Sequence, residues 1–533
     1  MKQILVALLF VISQSAVLAQ KNAVIDDLLS SYEKINQFSG SVLVAEKGKV
    51  IFEKSYGYRN AVKQEKNTNN SKYRIYSTTK VFTTIVILKL QEQGKLSLED
   101  KLSTYFPSYT KGDSITIRNM LSHTSGIPET EEANNEEELL KQLLTKPLDF
   151  SVDTKWSYCN TNFYLLGYII QKVTGQPYEE VIAEMILKPF QMTHSGFHFN
   201  DLKDENKALG YEFIVGENSN EALRFKSDHP YAAGAMYSTV EDLYKFSEAF
   251  YTGKIIDTNL VKYMCNPYLE EHYGLGQEVY SIQNSDKILV GHGGLGPGYR
   301  CRFIRDCEQE VAIILLANSE MVPIDKIAEE ITGIIYRKSK KKIEVGKNVT
   351  HSDLHQIEGI YSSKEGTFYV RIVDGMVVFN GSILPRVPLI PVTKTLYQLV
   401  DSFTFNFKTD QFGKIKAITV TNLRGVKTAE KISDTFPWGI IGTATTSGWD
   451  GKDIVMQTKK GNPHLYYLKN YPLNAGELRF RLNNDWNNSL ALNNDDKNLC
   501  YDGYNIKIKE TGKYDIVLDM TIASKPRFSM KKL

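Results

Sequence analysis

Ser77-Thr78-Thr79-Lys80 places a hydroxyl and an amine three residues apart at the head of an apolar stretch, Val81 to Gln93, that stops at Gly94. Residues i and i+3 share a helix face, so the Lys80 amine is expected beside the Ser77 hydroxyl. The positive end of the helix dipole would favour negative charge developing there. A serine hydroxyl is a poor nucleophile until a base takes its proton, and a desolvated lysine can be that base. Alone, the pattern is weak, because a helix cap followed by a solvated lysine has the same spelling.

Two further clusters supply matching chemistry. Tyr158-Cys159-Asn160 offers a phenol and an amide just before the helical run Phe163 to Val173. A phenol can act as a general base and an amide can position polar groups. Gly291-His292-Gly293-Gly294-Leu295-Gly296-Pro297-Gly298 lies between an apolar strand, Lys287 to Val290, and a hairpin from Tyr299 to Asn318. Its small residues would let a substrate lie against the strand, and a free amide there can donate to an oxyanion.

The order and context of these clusters resemble the penicillin-recognising serine hydrolases, particularly the class C β-lactamase, D-aminopeptidase and esterase branch. Three supporting stretches match in the same order. They are Phe38-Ser39-Gly40-Ser41-Val42-Leu43-Val44 with Gly48-Lys49-Val50-Ile51, the segment Ile115 to Pro128 containing Ser122-His123-Thr124-Ser125-Gly126, and Ala232-Ala233-Gly234-Ala235-Met236-Tyr237-Ser238-Thr239. The resemblance covers about Val24 to Lys338.

By this resemblance Ser77 is the nucleophile, and the amides of Ser77 and Leu295 form an oxyanion hole. Desolvation and neighbouring cations would lower the pKa of Lys80 toward neutrality, and cations would also favour the phenolate of Tyr158. Which of the two takes the proton first is open. Asn160 would bond Lys80 and a substrate amide. The third cluster reads His292-Gly293-Gly294 where β-lactamases carry Lys-Thr-Gly, which weakens the clamp on a substrate carboxylate. His292 would donate a hydrogen bond or assist the relay. His123 and Ser125 read as turn-stabilising residues.

The elements that must hold these groups divide the chain. Residues 20–345 are expected to form an α/β (α+β) catalytic domain, an antiparallel sheet flanked by helices plus a helical subdomain. A last helix, Pro323 to Tyr336, closes it. Residues 350–432 alternate apolar and polar positions with turn signals at Asn380-Gly381 and Phe412-Gly413, a β-only pattern. They resemble the lipocalin-like β-barrel often fused behind these hydrolases. Residues 433–533 form a further β unit with three of the four tryptophans. It resembles the β-sandwich modules of outer-membrane starch-binding lipoproteins. An exposed Trp there could stack on a glycan, whereas the simpler expectation puts Trp449 and Trp486 in the sandwich core.

Hydrophobic residues at 42%, charged residues at 24% and a net charge of +2 describe a globular protein with no case for nucleic acid. Residues 1–19 read as a signal peptide, with Lys2, the apolar run Ile4 to Ile12 and the cleavage site Val17-Leu18-Ala19. That run is shorter than the ~20 residues needed to span a bilayer. An exported protein, periplasmic or secreted, with no membrane span is expected. Five cysteines are too few for a disulfide framework, and Cys301 and Cys307 flank a hairpin turn in an offset rarely compatible with pairing. No metal-ligand spacing occurs, so neither metal nor cofactor is expected.

The function expected is an exported serine hydrolase acting through an acyl-enzyme on Ser77. Its substrates would be small peptides, including D-amino-acid or cell-wall peptides, or esters. A true β-lactamase and a silent glycan- or partner-binding protein are the other readings.

Overall fold

The computed structural model describes residues 19–336 and 350–533, apart from 35, 132, 134, 215–218, 223–229, 270–271, 282–287, 307, 309, 365, 374, 382–386, 401–402, 423–424, 493–498, 502 and 523–525. The expected signal peptide (save Ala19), the Lys338 to Lys342 linker and Cys307 lie outside the described residues.

The N-terminal region is built on a six-stranded antiparallel sheet. Its strands run in the order Lys49–Tyr56, Gly40–Glu46, Val311–Ala317, Tyr299–Asp306, Ile288–Gly296, Glu278–Ser281. Val311–Ala317 is central and apolar throughout, as a strand covered on both faces must be. Its side chains alternate between two cores. Ala312, Ile314 and Leu316 join the larger core, with the helices Thr79–Glu92 and Val240–Tyr251. Val311, Ile313, Leu315 and Ala317 join a second, under the helix across residues 19–34 and the helix Ile324–Ile335.

Thr79–Glu92 is buried on nearly all sides, which explains a sequence with almost no polar face. It ends at Gly94, whose φ of 68° suits the left-handed turn there. The helix Asn160–Thr174 packs against it and ends the same way at Gly175, φ 72°. These two helices, with the segment around Ala232 and Ala233, stand opposite the Ile288–Gly296 edge of the sheet and bound the site.

Eight strands from Gly359–Ser363 to Gly425–Ser433 close into an antiparallel barrel. Side chains including Tyr361, Phe379, Tyr397, Phe405 and Phe407 fill its interior. The strands after the barrel, from Trp438–Ile441 to Arg527–Lys532, form two sheets that face each other over Trp438, Ile440, Phe480, Ile516 and Leu518, a β-sandwich. Gln37 Nε2 donates to the Leu389 carbonyl at 3.3 Å and Asn380 Nδ2 to Asn488 Oδ1 at 2.7 Å, tying the units together. The fold class expected from the sequence is therefore the one observed.

One sequence expectation changes. The tryptophan buried in the sandwich core is Trp438, whereas Trp486 is 47% exposed and Trp449 only half-buried. Cys301 carries a free thiol, 3.3 Å from Thr78 Oγ1 beneath the turn that holds Ser77.

Candidate active site

Ser77 lies in a tight 3-10 turn, Tyr76–Thr78, that runs directly into the helix Thr79–Glu92. Tyr76 holds φ at 43°, a strained value for a bulky residue, and its hydroxyl donates to the Pro297 carbonyl at 2.8 Å. One turn along, Lys80 is fully buried. Its Nζ contacts Ser77 Oγ at 3.1 Å, Asn160 Oδ1 at 2.8 Å and the Ala233 carbonyl at 2.9 Å.

That geometry has a consequence for protonation. The last two partners are oxygens that only accept. A neutral amine has two N–H groups, and these satisfy Asn160 and Ala233. The lone pair is then left toward the Ser77 hydroxyl. Burial lowers the Lys80 pKa to about 7, against a smaller opposing pull from Glu129 and Cys159. Desolvation alone therefore does what the sequence reading had assigned partly to neighbouring cations.

Tyr158 sits over Lys80, with the ammonium nitrogen 4.9 Å from the ring centre. Although 37% of its surface is exposed, the crowded cleft strips solvent from its hydroxyl. That loss raises its pKa; the hydrogen bond with the Ser77 hydroxyl opposes it, and the charges of Glu278 and Glu129 add smaller upward pushes. The expectation of a cation-stabilised phenolate is thus corrected: Tyr158 is a neutral phenol at ordinary pH.

His292 is buried, and both ring nitrogens are occupied within the protein. Nδ1 donates to the Gly293 carbonyl at 2.6 Å, and Nε2 accepts from the Tyr273 hydroxyl at 3.0 Å. Desolvation lowers its pKa to about 4, so it is uncharged near neutrality. Its ring lies 6.2 Å from that of Tyr158.

The glycines around His292 serve a purpose that their spacing did not reveal. A Cβ on Gly294 would lie 2.1 Å from the Ile75 carbonyl, and one on Gly296 would strike the Tyr76 ring at 2.4 Å. A Cβ on Gly293 would meet the Arg302 guanidinium at 2.8 Å. The strand is glycine-rich so that it can seat against the turn that carries Ser77. Glu278–Ser281 pairs with this strand only as far as Gly291, so among the described residues the edge beyond has no strand on that side. Thr78 Oγ1 reaches the His292 carbonyl from that side at 3.4 Å, and the Leu295 side chain is 73% exposed.

Three contributors went unread in the sequence. Glu129 Oε2 accepts from the Asn160 amide at 2.7 Å, anchoring the start of a helix whose cap position, Cys159, offers no capping side chain. Tyr273 fixes His292, and nothing distinguishes it among 31 tyrosines. The Ala233 carbonyl is a backbone group, invisible to residue-type reasoning. His123, expected to stabilise its turn, accepts from the Cys159 amide at 3.2 Å and stacks 4.5 Å from the Tyr158 ring. It therefore supports the Tyr158 turn from below.

This sheet-and-helix fold, with a serine–lysine pair at the head of the central helix facing a glycine-rich strand edge, defines a serine hydrolase of the β-lactamase and transpeptidase type. The β-lactamase family model matches residues 25–329, and the chain belongs to that family. It is 33% identical over 295 residues to the putative penicillin-binding protein PbpX of Bacillus subtilis, covering 54% of this chain and 73% of that protein. Protein flp of Staphylococcus aureus is 30% identical over 321 residues, and the match spans 55% of this chain and 61% of flp. Among solved structures, the octameric penicillin-binding protein homologue of Pyrococcus abyssi superposes with a TM-score of 0.55 at 24% identity, covering 76% of this chain and 99% of that one. The D-amino acid amidase of Ochrobactrum anthropi superposes at 0.52 and 21% identity, covering 60% and 99%. At these identities both show likeness of fold.

Proposed function

We propose that this protein is an exported hydrolase that acylates Ser77, cleaving the amide or ester bond of a small peptide or ester, D-amino-acid peptides included. The observation that carries the reading is the Lys80 amine, buried, 3.1 Å from Ser77 Oγ, with its two other partners able only to accept. Neutral Lys80 takes the Ser77 proton as Oγ attacks the carbonyl. Donors on the strand edge at Leu295 and on Ser77 itself receive the oxyanion. Tyr158, protonated, gives its proton to the departing nitrogen or oxygen and recovers one from the Lys80 ammonium. Water then attacks the acyl-enzyme with Lys80 again as base, restoring Ser77.

The substrate class follows from the third cluster. An uncharged His292 stands where a β-lactamase carries lysine, so that position offers no cation for a substrate carboxylate. This favours acyclic amides and esters over β-lactams, in keeping with the amidase among the similar folds. A fluorophosphonate probe should label the wild type, and Ser77→Ala should abolish labelling in a protein with unchanged circular dichroism. Equal labelling of both would remove the nucleophile assignment. Turnover of nitrocefin above that of D-amino-acid p-nitroanilides and p-nitrophenyl esters would favour the β-lactamase reading.

A second reading applies to the C-terminal unit. Trp449 and Trp486 form a surface pair with ring centres 6.1 Å apart, and the Arg481 guanidinium backs Trp486 at 4.4 Å. Arg481 is itself held by a buried ion pair to Asp453 at 2.6 Å. A rigid aromatic pair open to solvent suits a sugar ring, and a glycan is the partner this unit would hold. Retardation in gels containing soluble glycans, lost in Trp486→Ala, tests it. Equal mobility with and without every glycan would overturn it.

A further inference from the structure

Behind the nucleophile turn lies a small pocket that the reaction does not use. Arg74, on the strand Tyr73–Arg74 three residues before Ser77, is 3% exposed. Its Nη2 donates to Asn200 Oδ1 at 3.0 Å, but Nη1 is buried with no hydrogen-bond partner among the described residues. The guanidinium lies 5.5 Å from the centre of the Phe199 ring, and Lys207 Nζ lies 5.0 Å from the same ring. Tyr76, Asn200, Pro297 and Tyr299 complete much of the wall, and among the described residues no carboxylate lines it.

A guanidinium cannot shed its proton, so burial without a counter-charge must be compensated by something else. Of the described acids, Asp204 pairs with Lys72, and Glu320 accepts from the Gly298 amide at 2.8 Å. The ring of Phe199 and one amide oxygen supply only part of what a buried cation requires. The pocket offers about 20 Å³, room for one or two water-sized occupants. That volume suits a monatomic anion and is small for sulfate or a substrate carboxylate with its chain.

We propose that the pocket at Arg74 binds a small monovalent anion of the chloride class, which neutralises the guanidinium and braces the turn leading into Ser77. The bracing is direct, because Tyr76 both lines the pocket and immediately precedes Ser77.

The test is thermal unfolding of the full chain in sodium chloride, sodium bromide or sodium gluconate at one ionic strength. The halides should give a saturable upward shift in Tm of at least ~2 °C that gluconate does not. Bromide-soaked crystals should show an anomalous peak beside Arg74 Nη1. Because Arg74→Met removes a buried side chain that the fold itself needs, the decisive variant is Asn200→Asp, which supplies a fixed carboxylate to Arg74. It should keep the raised Tm in gluconate and lose the halide response. An equal halide response in Asn200→Asp, no difference between halide and gluconate in wild type, or an empty anomalous map would each overturn the proposal and leave water as the occupant.

Discussion

Lys80 Nζ lies 3.1 Å from Ser77 Oγ while its other two partners, Asn160 Oδ1 and the Ala233 carbonyl, can only accept hydrogen bonds. The amine is thus oriented by groups that hold its protons and leave its lone pair for the serine. With its pKa brought to about 7 by burial, a large fraction is neutral at physiological pH.

The pH dependence of turnover should follow that group. With neutral Lys80 as base, kcat/KM for a small ester should rise with pH and level off above about 7. Because the Glu129 charge favours the ammonium, Glu129→Gln should move the rising limb to lower pH. A shift to higher pH, or none, would separate the limb from Lys80.

Stability should carry the same signature. The unfolded chain holds the Lys80 proton up to about 10.5, whereas the folded protein releases it near 7. Between those values the unfolded state binds the extra proton, so this group makes folding more favourable as pH rises, by up to ~1.4 kcal/mol per unit. In urea titrations at pH 7.0 and 9.5, wild type should gain relative to Lys80→Met by roughly that slope. Parallel behaviour of the two proteins would show that the lysine is not buried in its neutral form.

Gly294→Ala tests the seating of the strand. The added methyl would meet the Ile75 carbonyl at 2.1 Å, so the strand must move off the nucleophile turn. Overpacking of this kind costs ~1–3 kcal/mol, and a displacement of about 1 Å at the reacting atoms can cost ~100-fold in rate. Fluorophosphonate labelling should fall by at least tenfold in a protein that still unfolds cooperatively. Unchanged labelling would mean that the turn and strand are not coupled.

Tyr273→Phe should destabilise by ~1–3 kcal/mol, since it leaves the buried Nε2 of His292 without its donor. If His292 acts through the orientation that Tyr273 gives it, His292→Ala and the double variant should have nearly the same kcat/KM. Multiplicative losses would assign the two residues independent roles.

Trp486→Ala should leave small-ester turnover unchanged and shift stability by no more than ~0.5 kcal/mol, because the ring packs on the surface in a unit distant in sequence from Ser77. A loss of ester turnover would mean that the C-terminal unit takes part in the catalytic cleft.

The sequence by itself determined the features that rest on local pattern. Ser77 and Lys80 fall three residues apart before a run too apolar to be anything but a buried helix. The apolar strand Val311–Ala317 and the alternation from Gly359 onward mark sheet structure by their period. Tertiary structure decided everything that depends on desolvation and distant partners. The Ala233 carbonyl that holds Lys80 is 153 residues away, and Tyr273 reaches His292 only because the fold brings them to one wall. Residue types leave lysine and tyrosine alike, and only burial separates them, moving the Lys80 pKa down and the Tyr158 pKa up. The exposure of Trp486 and the burial of Trp438 were likewise undetermined by composition, since either ring could fill a core. Short-range propensity fixes which elements form, but the field and solvent exclusion at a site are sums over atoms that only packing brings together.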